Sequence, residues 1–197
     1  MASGRTTQHA GGERAGRLDT TSWVNAALDV AAELGLGAVA VEPVARRIGA
    51  TKGSFYWHFP NRDALVVAVL ERWRSIATQA VIELLEATAD PLIRLHRLAR
   101  ITNRSEWEDR LEYAILGAAD DPLVRPFVEQ VNREREAYVS GVFRDLGYSR
   151  TVADRRASMV LHAYVGRLRL EHGHPRPTAA RATAYNRELV ELLTADR

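Results

Sequence analysis

One segment, residues 46–65, concentrates side chains that can bind a charged or polar partner. It reads RRIGATKGSFYWHFPNRDAL. It combines cations, small hydroxyl residues and a glycine with four aromatic rings, and it holds Lys52, the only lysine in the chain. Cations, hydroxyls and free backbone N–H groups at a helix start are the groups that contact DNA phosphates and base edges. The composition of the segment therefore indicates a nucleic-acid contact surface.

Two short helices joined by a tight turn are predicted to position these groups. Gly49 ends the first helix, Thr51 caps a second one that runs to about His58, and Pro60 follows. One helical face of the first helix is apolar: Val41, Val44, Ala45 and Ile48. This layout is a helix-turn-helix, in which the first turn of the second helix meets the bases in the major groove.

The spacing of the rings divides them between two faces. Phe55 and Phe59, four residues apart, are expected to face inward, whereas Tyr56 and His58 are expected to face outward. Trp57 fits either the edge of the small domain or a sugar. The predicted DNA-contacting residues are Thr51, Lys52, Gly53, Ser54, Tyr56, Trp57, His58 and Arg62.

Helical periodicity continues on both sides of this segment. A first helix is expected to be capped by Thr20, Thr21 or Ser22 and to end at Gly35. Its apolar stripe consists of Trp23, Ala26, Ala27, Val30, Ala31 and Leu34. A long fourth helix is predicted after Asn61 with the inner stripe Leu65, Val69, Trp73, Ile76, Ala80 and Leu84.

Later helix starts are predicted where an aspartate precedes a proline, at Asp90-Pro91 and Asp121-Pro122. No strand or hairpin pattern occurs. The sequence therefore predicts an all-α fold of about nine helices. We expect a flexible arm at residues 1–18, a helix-turn-helix domain at 19–64, and a larger helical domain for ligand binding and dimerisation at 65–197.

Composition excludes several other classes. The chain has no cysteine, a net charge of +2 and no long apolar run, so it is expected to lack disulfides and membrane spans and to be cytoplasmic. Residues 171–174 (EHGH) lack further metal ligands at a recognisable spacing. There is no phosphate loop and no nucleophile motif. We therefore expect no metal, no cofactor and no enzymatic activity.

The segment VEPVARRIGATKGSFYWHFPNRDAL, residues 41–65, resembles the DNA-binding segment of the tetracycline-repressor (TetR) family of bacterial regulators. The match is strong over about residues 20–70 and one of architecture beyond them. The resemblance implies that residues 51–54 approach the DNA bases or nearby phosphates. It also implies that Tyr56, His58 and Arg62 bind the phosphate backbone of the DNA. Ala40 departs from the family pattern, since a threonine or serine is usual there. Glu42 is a carboxylate near the DNA side, where it would repel phosphate or accept from a cytosine amine.

The resemblance implies that the second domain binds a small-molecule effector and dimerises through its last two helices. Candidate residues for the effector pocket are Trp73, His96, Trp107, Tyr113, Phe127, Tyr138 and Tyr164. Candidate residues for the dimer interface are Met159, Leu161, Val165, Leu168, Leu189, Leu192 and Leu193. For each of these residues, packing in the ordinary core of one subunit is the alternative.

Three functions remain open from the sequence. The first is a dimeric transcription regulator that binds a palindromic duplex and is released by a small molecule. The resemblance implies that it is a repressor. The second is a constitutive DNA-binding regulator with no effector. The third is an enzyme or carrier with a purely structural helix-turn-helix, which the cations and hydroxyls between Lys52 and Arg62 disfavour.

Overall fold

Ten α-helical segments follow one another in the computed structural model, which describes residues 19–102 and 105–195. They are α1 (Thr20–Leu34), α2 (Val41–Arg47), α3 (Lys52–Phe55), α4 (Arg62–Arg74), α5 (Ala80–Glu86), α6 (Pro91–Ile101), α7 (Glu106–Gly117), α8 (Arg125–Asp145), α9 (Arg150–Glu171) and α10 (Ala179–Thr194). A 3₁₀ turn, Leu36–Ala38, follows α1, and a π-helical turn, Ser75–Gln79, joins α4 to α5 without a break. Counting α4 and α5 as one rod, the described residues form nine helices and no strand, so the predicted fold class is confirmed.

Two apolar clusters hold the helices together. The first centres on Trp23, Phe55, Leu65 and Ile115 and runs from α1 through α4 into α7 and the start of α8. The second joins α6, α8, α9 and α10 around Phe143 and its neighbours. The first cluster therefore belongs to the N-terminal helices and to the larger helical part together. The domain boundary between residues 64 and 65 stays a prediction, and the arm at 1–18 lies outside the described residues.

The start and end of α1 differ in detail from the prediction. Asp19 caps the helix by accepting a hydrogen bond from the Ser22 backbone N–H at 2.8 Å. Leu34, predicted to lie inside, is 70% exposed. Gly35 adopts φ +88°, a conformation that favours glycine, and the chain then turns so that Leu36 is buried instead.

The π turn changes which face of the long helix is buried. A π turn inserts one extra residue, so every later side chain moves one position round the helix. The predicted inner positions Ala80 and Leu84 are exposed, and Leu84 is 54% accessible. Ala77 and Leu85 are buried in their place, at 4% and 0%. The predicted stripe is right at Leu65, Val69 and Trp73, and Ile76 is half-buried against the first apolar cluster. It is wrong at Ala80 and Leu84, which follow the π turn.

Two predicted helix boundaries are also wrong. Asp121 does not cap a helix: its side chain accepts from the Leu123 N–H at 2.8 Å within a turn, and α8 begins at Arg125. The second helix of the helix-turn-helix ends at Phe55 rather than near His58. Residues 56–58 form a turn, which the Phe59 N–H closes by donating to the Phe55 carbonyl at 3.0 Å. Asp90, in contrast, caps α6 as predicted, with Pro91 in its first turn.

No helix among the described residues is long and apolar enough to cross a membrane.

The cap of α4 can be tested directly, because Asn61 is exposed and its side chain accepts from the Ala64 N–H at 2.9 Å. We expect Asn61→Ala to lower the free energy of unfolding by about 1 kcal/mol, since a backbone donor loses its partner. Asn61→Asp is the matched control, because aspartate also caps and favours the positive helix end. Urea unfolding monitored by circular dichroism measures both; equal midpoints for the two variants would contradict the assignment.

Candidate nucleic-acid interface and helical cavity

The turn between α2 and α3 sets the angle of the helix-turn-helix. Gly49 has φ +65°, the left-handed region that glycine adopts without strain. The next N–H, that of Ala50, donates to the Ala45 carbonyl at 2.8 Å and closes the end of α2. Phe55 then anchors α3 inside, with its ring 5.4 Å from that of Trp23 and 5.5 Å from that of Phe59. The predicted inward pair is therefore confirmed, and the start of α3 is left outside.

The leading turn of α3 presents small polar groups to solvent. Thr51 is the N-cap, and its hydroxyl accepts from the Ser54 N–H at 3.1 Å. The Ser54 hydroxyl donates to the Thr51 carbonyl at 2.8 Å, so this hydroxyl is engaged within the turn. Thr51, Lys52 and Gly53 are exposed and Ser54 is half-buried. The four residues predicted to approach bases therefore lie together at one accessible tip.

Gly53 is not required by packing within the chain. A Cβ placed there would meet only the Thr51 Oγ1, at an ordinary 3.8 Å. Glycine inside a helix costs roughly 1 kcal/mol relative to alanine. The fold therefore gains nothing from this glycine, whereas a partner surface that approaches the backbone closely would need it.

Lys52 lies beside the carboxylate that departs from the family pattern. Its Nζ is 3.5 Å from Glu42 Oε1, and the two side chains are 62% and 76% exposed. An ion pair this exposed is weak, about 0–1 kcal/mol. The ammonium can therefore leave Glu42 for a stronger anion at little cost.

Tyr56 and Trp57 follow α3 and face solvent, with 55% and 89% of each residue exposed. His58 is placed differently. It is half-buried, and its Nδ1 lies 3.1 Å from the Thr20 hydroxyl, so one ring nitrogen faces α1. Thr20 is the partner that the sequence did not indicate. The imidazole thus joins the turn after α3 to the first turn of α1.

Arg62 also has a partner within the chain. Its Nε donates to the Val39 carbonyl at 2.7 Å, and its Nη1 lies 3.5 Å from the Asp63 carboxylate. The side chain is nevertheless 39% exposed. Arg62 therefore fixes the start of α4 to the loop before α2 and keeps part of its guanidinium at the surface.

Arg47, at the end of α2, faces away from the tip. Its guanidinium makes two hydrogen bonds of 2.7 Å to the Glu33 carboxylate of α1 and lies 3.4 Å from Asp29. The hydrogen bonds from Arg47 hold the pKa of Glu33 below its usual value. This cation supports the packing of α2 on α1, so it is not available to a partner.

A cavity of about 70 Å³ lies among the π turn, α5, α6, α8 and α9. Two of the seven predicted pocket residues, Tyr138 and Tyr164, line it. Trp73 is buried beside it and donates from Nε1 to Glu112 at 2.7 Å. Burial, with the charge of nearby Glu86 adding to it, raises the pKa of Tyr138 to about 12, so its hydroxyl stays neutral at physiological pH.

The other four predicted pocket residues lie elsewhere. Trp107 donates to Asp29 at 3.0 Å and joins α7 to α1. Phe127 packs against the first apolar cluster, and His96 is exposed on α6. Tyr113 stacks on His172, with 3.4 Å between ring centroids. These four side chains therefore do not contribute to the cavity.

Sequence reasoning missed the charged residue at this cavity, Arg135 of α8. Its Nη1 lies 2.5 Å from the buried Glu112 carboxylate of α7. A pattern could have revealed it, since Arg135 falls at a helical spacing between four buried valines of α8: Val128, Val131, Val139 and Val142. A charge on a buried stripe requires a partner inside the protein.

The predicted dimer residues differ in exposure. Leu168 is buried, whereas Met159 and Leu192 are 54% and 69% exposed. The remaining four are half-buried: Leu161, Val165, Leu189 and Leu193. Leu170 and Tyr185, which were not predicted, extend the exposed apolar surface of α9 and α10 at 78% and 46%.

Comparison with known proteins agrees with this geometry. Residues 24–69 match the profile of the family described as bacterial regulatory proteins, tetR family. Among curated proteins, none matches the sequence significantly.

Solved structures share the fold at low identity. A transcriptional regulator from Rhodococcus sp. Rha1 is 22% identical with a TM-score of 0.72, covering 88% of this chain and 92% of its own. A TetR-family regulator from Agrobacterium tumefaciens is 18% identical with a TM-score of 0.75, over 88% and 96% of the two chains. A regulator from Saccharomonospora viridis, solved in complex with choline, is 16% identical with a TM-score of 0.75, over 87% and 95%. The profile of the tetR family thus covers the helix-turn-helix of this chain, and solved transcriptional regulators share the fold of its described residues.

Proposed function

We propose that the protein is a dimeric, sequence-specific DNA-binding repressor that a small-molecule ligand releases from a palindromic operator. The observation that carries the proposal is the exposed tip of α3, where Gly53 has no structural role in the free chain and lies beside Lys52. The protein would act in the cytoplasm, where its operator is accessible.

The groups at the tip are matched to a duplex. The first turn of α3 offers the Lys52 ammonium, the Thr51 side chain and free backbone N–H groups to phosphates and base edges. Tyr56 and Trp57, both exposed, and the outer part of His58 lie on the flank where sugars and phosphates would pass. The exposed part of Arg62 would complete this grip on the backbone.

A second copy of the chain is the partner that fits the exposed apolar residues of α9 and α10. Met159, Leu170, Tyr185 and Leu192 present apolar surface that a single copy leaves in water. Burying it between two copies would release that water and favour association. A two-fold dimer would present two copies of α3 to half-sites one helical turn apart, roughly 34–36 Å.

The cavity supports a role for a ligand. It borders the π turn, which is continuous with α4, and α4 begins only a few residues after α3. A ligand that binds one arrangement of this rod better than another would shift the population between DNA-competent and released states. Without such a ligand, the protein would be a constitutive regulator.

Selection of bound duplexes from a random pool tests the DNA-binding proposal. We expect the recovered sequences to contain a palindrome with half-sites one helical turn apart. Recovery of no common sequence would overturn the proposal. A single unpaired motif would retain DNA binding and contradict the dimer.

Gly53→Ala separates DNA contact from folding. Because the fold leaves room for the Cβ and alanine favours helix, we expect unchanged or slightly higher thermal stability. We expect operator affinity to fall at least about tenfold, since the added methyl group keeps the duplex away. Gly117→Ala in α7, where nothing lies within 4 Å of the added Cβ, is the matched control. Fluorescence anisotropy with the selected operator measures affinity; equal binding by both variants would rule out close approach at Gly53.

Leu192→Arg tests the dimer interface. Burying a guanidinium between two copies is costly, so we expect this variant to sediment as a monomer where the unmodified protein is dimeric. Leu84→Arg is the control, because Leu84 is 54% exposed on α5 and does not belong to the proposed interface of α9 and α10. Dimerisation of the Leu192 variant with unchanged affinity would exclude this surface.

A further inference from the structure

The cavity at the π turn is apolar except at one end. Its walls are mostly aliphatic, from residues such as Val81, Leu85 and Val160. Among the residues that the structure describes, Arg135 is the one charged side chain lining it. An apolar cavity with one charged end is suited to a ligand with an apolar body and one polar group.

Arg135 is held rigidly in this position. Its Nη1 and Nη2 lie 2.5 Å and 3.3 Å from the two Glu112 oxygens. Its Nε donates to the Thr78 hydroxyl at 3.0 Å, and Nη2 also donates to the Ala77 carbonyl at 3.3 Å. Only 13% of the Arg135 side chain is exposed, and none of the Glu112 side chain is. A guanidinium fixed by these three residues is held in one orientation, which favours planar recognition of a carboxylate.

The aromatic rings at this end are already in contact with the guanidinium. The Arg135 Cζ lies 5.6 Å from the centre of the Trp73 ring and 5.7 Å from that of Tyr164. On the same Tyr164 ring, the Cζ of Arg167 lies 5.8 Å from the centre. A cationic ligand would therefore compete with these guanidiniums for the rings and would meet a like charge in a weakly screened place. An anionic group would instead pair with the Arg135 guanidinium, in competition with the Glu112 carboxylate that already binds it.

We propose that the ligand of this cavity is a small apolar monocarboxylate, whose carboxylate binds the guanidinium of Arg135. This inference rests on the proposed function, since it names the chemical class of the ligand for the same regulator. The guanidinium also holds the π turn through Thr78 and Ala77. A carboxylate at Arg135 competes for those donors. It thereby alters the π turn of the rod formed by α4 and α5, and α4 follows α3 directly in the chain.

Pairs of acids and their isosteric amides test the ligand class. Propionate, butyrate, hexanoate and benzoate are compared with the corresponding amides by isothermal titration calorimetry, and choline serves as the cationic probe. We expect at least one acid to bind at least about tenfold more tightly than its amide, because a charge-assisted hydrogen bond is the stronger one. We expect no binding of choline.

Two variants locate the binding site. In Glu112→Gln/Arg135→Gln both charges are removed together, so that no unpaired ion stays buried, and the preference for acid over amide should disappear. In Ile82→Trp, a half-buried residue lining the cavity is enlarged, and the bound acid should be lost while the charges stay in place. Retention of the preference in the double variant, or undiminished acid binding in Ile82→Trp, would overturn the assignment.

Operator binding, measured without ligand on the selected duplex, separates the two proposals. If the unmodified protein binds a palindromic duplex and no acid binds better than its amide, the ligand class is wrong and the regulator stands. If no duplex is bound, the regulator proposal fails whatever the acids do. If choline binds and the acids do not, the charge argument itself is refuted.

Discussion

The three N-terminal helices share their core with the rest of the protein, and the remaining architecture depends on this constraint. Helices α1–α3 and their turns are too short a stretch of chain to bury enough apolar surface alone. Trp23 and Phe55 therefore lie in one continuous cluster with Leu65 of α4 and Ile115 of α7. The hydrogen bond from Trp107 to Asp29 strengthens the same junction. Because the core is shared, a change in the packing of α4 or α7 reaches the seat of α3 through close-packed side chains.

A buried ion pair, Arg135 with Glu112, lies beside the cavity. Arg135 and Glu112 connect α8 and α7, and Thr78 brings in the π turn. Such a pair contributes little net stability, because desolvation of both charges offsets their attraction. The pair lies at the point where the long rod leaves regular α-helical geometry, because Arg135 donates to Thr78 of the π turn. π turns of this kind are frequent at functional sites.

Local sequence was sufficient for much of the helix-turn-helix and insufficient for the cavity. The cap at Asp90, the stop at Gly49 and the inward faces of Phe55 and Phe59 depend on neighbours a few residues away, and each is found as expected. The predicted inner face of the long helix fails at Ala80 and Leu84, because a count of 3.6 residues per turn cannot anticipate the residue that the π turn inserts before them. The cavity is assembled from four separate stretches of the chain, which lie within residues 77–85, 98–102, 135–139 and 160–164. Aromatic composition alone identified Tyr138 and Tyr164 but also selected Trp107 and Phe127, which pack against the core.

The distribution of cations has a chemical consequence. Nearly all positive charge in the chain is carried by guanidinium groups, many of which hold helices together, and the single side-chain amine is that of Lys52, 62% exposed at the tip of α3. Acylating agents attack amines and spare guanidiniums. Acetylation of this one nitrogen would remove a positive charge and add bulk at the exposed start of α3. The arginine ion pairs that join the helices would stay intact.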